Sequence, residues 1–292
     1  MRDYARDSRI DLVYVNNTAI NRLEDGVFKG LKISNIQLSN AKITWLSANA
    51  FRGLEDTLQG LNLANNALTE LPVETLRTLR ILSNLDLSNN NIKFVPSNAF
   101  VTLRLSTLKL SENNLTMAED ALNGLEQSLK NLNMKGCHLK ALPPATRNLR
   151  GLAFLDVSQN HIQGMVASEL AGMKSLTALN LERNVIQRLS DDVFTEVSTS
   201  LSSLSLLNNL LTTYPTKAIT SLKDLRVSCF PFCHTQLAVC QFRALVTLYF
   251  THISLLSMYR TGESPKGLQA LVVCTNFPVH LLFLFIQAIQ YT

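Results

Sequence analysis

From residue 10 onward the chain repeats one arrangement of apolar and polar positions. Written as L-x-x-L-x-L-x-x-N-x-L, it fits from Leu58, Leu82, Leu105, Leu129, Leu152, Leu176 and Leu201, and more weakly from Ile10 and Ile33. Successive starts are 23, 25, 24, 23, 24, 23, 24 and 25 residues apart. Self-similarity at so narrow a period marks stacked supersecondary units, none of which can bury its apolar face alone. The x-L-x-L-x segment alternates with period two, so its leucines share one side of a strand. Stacking the coils then builds a parallel sheet over a continuous leucine core.

The second half of the period repeats as well. Leu46, Leu71, Val95 and Leu189 are each followed five residues later by Phe or Leu, and three later again by an apolar residue. Spacings near five and three predict a short helical or 3₁₀ segment with one edge inward. The ninth template position reads Thr18, Ala41, Asn66, Asn90, Asn113, Cys137, Asn160, Asn184 and Asn209. A buried Asn there can bond backbone groups of its own and neighbouring turns that would otherwise be orphaned. Cys137 is read as a stand-in for Asn, because a thiol still donates a weak hydrogen bond. Ala41 cannot donate, which predicts a looser coil from Ile33.

These residues resemble the leucine-rich-repeat superfamily over about 10–228. The near-24-residue period, with closing segments such as Ala50-Phe51, Ala99-Phe100 and Val193-Phe194, is similar to the "typical" subclass found in extracellular proteins. The resemblance implies an α/β solenoid: a right-handed superhelix of nine to ten coils with a concave parallel β-sheet inside and short helices or loops outside. It also implies a protein ligand on the concave face, and a role in adhesion, receptor ectodomains or matrix organisation. Two sequons, at Asn16 and Asn114, fit an extracellular glycoprotein. An intracellular scaffold is the alternative. The start, MRDYARDSRIDLVY, lacks the apolar core of a signal peptide, so the chain is read either as intracellular or as beginning inside a longer protein.

On the strand face opposite the core, the variable positions are mostly small and polar. One patch differs: Asp86, Lys109, Asn133, Phe154 and Asp156 lie on four consecutive coils, with Asn180 on the next. An exposed Phe beside charges suits a protein-binding anchor. The plainer reading is that Phe154 covers its strand neighbours and the charges pair with one another.

Composition narrows the rest. Hydrophobic residues are 46% of the 292, ample for a core. The net charge of +5 is spread without runs, which predicts no nucleic-acid footprint. No catalytic, cofactor or metal motif is present, so a non-enzymatic protein is expected. Asp86 and Asp156 share a face but would stand about 14 Å apart at three strand spacings, too far for paired acid–base work. His138 and His161 each follow the ninth position in a turn, and both are expected to face solvent.

The organisation predicted is a short segment 1–9, the solenoid 10–228 and an apolar tail 229–292. The repeat is expected to break after Leu222-x-x-Leu225-x-Val227. The tail has four charged side chains, two apolar stretches at 237–258 and 268–289, and Cys229, Cys233 and Cys240 with His234. A membrane anchor, a cap on the open end of the core, and a non-native extension are its three readings.

Overall fold

The computed structural model describes residues 9–16 and 20–229. Within them, ten strands form one parallel sheet whose spatial order is the chain order. They are β1 (Arg9–Asn16), β2 (Lys32–Ser39), β3 (Gly60–Asn62), β4 (Asn84–Asp86), β5 (Thr107–Lys109), β6 (Asn131–Asn133), β7 (Phe154–Asp156), β8 (Ala178–Asn180), β9 (Ser203–Ser205) and β10 (Val227–Cys229). The architecture is the parallel-strand solenoid that the periodicity predicts.

Register follows the apolar pattern. Val13, Ile36, Leu61, Leu85, Leu108, Leu132, Leu155, Leu179 and Leu204 stand directly opposite one another along the sheet. From Ile36 to Leu204 all of them are buried. A one-residue slip of any coil would move its leucines to the solvent face, so burial itself sets the stacking. Phe51, Phe100 and Phe194, the closing aromatics of three coils, fill the far side of the same core.

The last strand departs from the expected repeat. Val227 pairs with Ser203 and Cys229 with Ser205, which places β10 one full period after β9. Leu222 and Leu225 precede the strand and pack on the core; they do not form it. Ser228 occupies the register position that leucine holds in the preceding coils. The strand therefore sits three residues later than the leucine pattern would place it, with Ser228 and not Leu225 opposite Leu204, because backbone pairing to β9 does not require the apolar side chain. Residues 230–292, with both apolar stretches and most of the cysteine cluster, lie outside the described residues.

The return halves are less regular than the sheet. Short helices α1 (Val73–Leu76) and α2 (Thr216–Thr220) and 3₁₀ turns at Pro144–Thr146, Ala167–Leu170 and Thr195–Val197 appear in five coils. Leu46, Val95 and Leu189, expected to open helical segments, lie instead in two-residue strands. Three separate pairs form: 22–23 with 45–46, 94–95 with 116–117, and 164–165 with 188–189.

Proline explains the interruptions. Each pair is held by an N–H from the later coil, Ser47 to Leu23, Ala118 to Val95 and Ser190 to Met165. In other coils the position matching Ser47 and Ser190 is Pro72, Pro96, Pro143 or Pro215, which has no N–H to donate. In the coil of Val166 the N–H is diverted to the Glu169 carboxylate at 2.8 Å. The same prolines favour the helical turns that replace the strand, since Pro72, Pro143 and Pro215 occupy helix N-caps.

Candidate functional site: the exposed face of the sheet

The solvent side of β5 to β9 forms a shallow trough of about 560 Å³. Its lining includes Thr107, Lys109, Asn133, Phe154, Asp156 and Asn180. Asp86 borders the neighbouring trough on β1 to β5. The residues singled out in the sequence thus share one face. Phe154 is 54% exposed and stands between Asn131 and Ala178 in register. With only Asn131 and the small Ala178 beside it in register, the exposed ring is available for contact.

The charges around it are partly engaged. Lys109 Nζ lies 3.4 Å from Asp86 Oδ2. This is a surface pair, so its contribution to stability is small. The acidic and amide side chains also have a local task that the residue types alone did not reveal. Asp86 accepts from the Ser88 N–H at 3.0 Å, Asn133 from Lys135 at 2.9 Å, Asp156 from Ser158 at 2.9 Å and Asn180 from Glu182 at 3.1 Å. Asn62 does the same with Ala64. Each side chain caps the bend where its strand ends, the Asx geometry that Asn and Asp favour. The preference for Asn or Asp at this position was visible in the sequence and is the signal for that role.

Beneath this face runs the ladder of buried amides. Asn90 Nδ2 donates to the carbonyls of Leu63, Leu87 and Ser88, and its Oδ1 accepts from Leu68 N–H. Asn113, Asn184 and Asn209 repeat the set with the equivalent groups of their coils. Asn66 and Asn160 differ. Asn66 Oδ1 accepts two N–H groups, from Ala41 and Ile43, and Asn160 Oδ1 accepts two, from Cys137 and Leu139. Cys137 is fully buried, and its Sγ lies 3.2 Å from the Leu110 carbonyl oxygen. Burial pushes its thiol up to about 12 from an ordinary 9.0. Thr18 lies outside the described residues.

Both sequon asparagines, Asn16 at the end of β1 and Asn114 in an irregular connection, are exposed. His138 and His161 are exposed too, and the fold brings their rings together, a contact that their 23-residue separation hid in the sequence. Among the described residues, no group of three or more His, Cys, Asp or Glu side chains could hold a metal ion. Among them also, no helix is long and apolar enough to cross a membrane.

Residues 56–115 and 127–186 match the family model for the leucine rich repeat. These two segments are leucine-rich repeats. Podocan-like protein 1 of Homo sapiens is similar to it, 30% identical over 228 residues that cover 75% of this chain and 43% of that protein. Tsukushi of Gallus gallus is 26% identical over 213 residues, 71% of this chain and 56% of its own length. The chain therefore spans about half the length of these two relatives. Among solved structures, leucine-rich repeats of the TLR13–ssRNA13 complex superpose with a TM-score of 0.65 at 28% identity, over 70% of this chain and 29% of that one.

Proposed function

We propose that this leucine-rich-repeat module binds a protein outside the cell, through the exposed face of the sheet around Phe154. The observation that carries the reading is the exposed ring of Phe154 in a trough that also presents Thr107, Lys109, Asn131, Asn133, Asp156 and Asn180. A rigid aromatic surrounded by hydrogen-bonding side chains is the chemistry of a protein hot spot. The face presents Lys109 against Asp86 and Asp156, so it offers no row of cations to neutralise successive phosphates. This favours a protein over the RNA bound in the TLR13 complex. The exposed sequons support an extracellular setting, as does the likeness to Tsukushi and Podocan-like protein 1. Adhesion, receptor and matrix roles all suit such a surface.

Mass spectrometry of the protein from its native source tests the location. Glycan on Asn16 or Asn114 is the expected result, and full-length protein with both asparagines bare, recovered from the cytosol, contradicts it. Replacing Phe154 by Ala tests the face. Partner affinity is expected to fall at least tenfold with folding intact, and an unchanged affinity for every partner sinks this assignment.

A further inference from the structure

His138 and His161 sit at the same position of consecutive coils, in the turns after β6 and β7. His138 Nδ1 and His161 Nε2 are 3.3 Å apart, with ring centroids at 5.4 Å and an angle of 43° between the rings. The pair is exposed, and nothing in the solenoid core or the sheet face requires it.

The backbone beneath the rings is held with unusual care. His138 has a φ of 59°, a left-handed conformation uncommon outside glycine. The N–H groups on either side of it, from Cys137 and Leu139, both bond to Asn160 Oδ1 at 2.9 Å. Asn160 is the chain neighbour of His161, and the His161 N–H bonds in turn to the Leu139 carbonyl at 2.8 Å. Three hydrogen bonds therefore tie the two turns directly to each other at the point where the rings emerge. Fixing both ligands before a third body arrives lowers the cost of binding it.

The geometry points to a two-histidine site for a divalent transition-metal ion, of the zinc, copper or nickel class that imidazole prefers. Zinc–nitrogen bonds of about 2.0–2.1 Å in a tetrahedron put two ligand nitrogens about 3.3 Å apart. A proton shared between the rings and a metal ion chelated by them thus need the same ring separation, and small side-chain rotations interconvert the two. With no third His, Cys, Asp or Glu completing the set among the described residues, the ion keeps open positions for water and exchanges readily.

Zinc titration of the full-length chain by equilibrium dialysis tests the site, in wild type, His138→Gln, His161→Gln and the double variant. Both rings are exposed, so circular dichroism and Tm should match wild type in metal-free buffer. Zinc held elsewhere on the chain cancels in the comparison. The expected result is that each single substitution weakens one equivalent of zinc at least tenfold, and that the double variant loses no more sites than either single. Unchanged binding in both single variants overturns the proposal. So does independent loss, in which each histidine removes its own weak equivalent and the double variant removes two.

Discussion

Coils with Asn at the ninth position and coils without it solve one problem in two ways. In the coils of Asn90, Asn113, Asn184 and Asn209, each amide joins its own turn to the preceding coil and takes one N–H from it. The coils of Ala41 and Cys137 cannot reciprocate. There the residue after the missing amide turns left-handed, Lys42 at φ 58° and His138 at φ 59°, and these two alone do so at that position among the described residues. The twist brings the two flanking N–H groups onto a single acceptor, the Asn of the next coil. The ladder thus tolerates a gap by overloading its neighbour. The coil with Ala41, expected to be looser, keeps a seven-pair register to β1 and buries Ala41 fully.

The largest expected effect ignores this distinction. Leu85→Ala, in an Asn coil, and Leu132→Ala, in the Cys137 coil, each remove a buried leucine and should cost about 2–5 kcal/mol alike by denaturant unfolding. A marked difference between them would mean that the gap reaches the core. Next come the amides. Asn90→Ala should cost about 1–3 kcal/mol, and Asn160→Ala about 1 kcal/mol more, because it strands an extra buried N–H. Equal costs would show that the double acceptance carries no energy.

Filling the gap is the converse test. Cys137→Asn supplies an amide in reach of the Leu110 and Lys135 carbonyls that Sγ now meets. It should stabilise by about 1 kcal/mol, read as a raised Tm. The alkaline limb gives a finer reading. The folded-state pKa of Cys137 is raised, so the stability contributed by its neutral thiol is complete below about 9.0 and is lost as pH rises through about 12. Stability of the wild type should therefore fall more steeply than that of Cys137→Asn between those values. The smallest effect is on the surface: Phe154→Ala should change stability by no more than about 0.5 kcal/mol, leaving its binding effect interpretable.

Much of this was legible in the residues. Leu61, Leu85, Leu108 and their equivalents announced the sheet, its order and its register, because a solenoid makes contact order nearly equal to sequence order. The face carrying Asp86, Lys109, Asn133, Phe154, Asp156 and Asn180 followed from the alternation. What escaped depended on backbone bonding. Ser228 stands in a leucine column with no apolar signature. The outer strands at 94–95 and 164–165 are bounded where Pro96, Pro143 and Pro215 withhold an N–H and where Glu169 captures that of Val166. The left-handed turn at His138 is a response to Cys137, and it needs the partner coil to be seen.

The solenoid is proposed to meet its partner on the sheet face. A photoreactive amino acid placed at position 154, and at exposed Val166 on the return side, tests it most directly at the surface of cells from the native source. The expected result is a discrete protein adduct from position 154 and none of that mass from position 166. Adducts of equal yield from both positions, or from 166 alone, would contradict it.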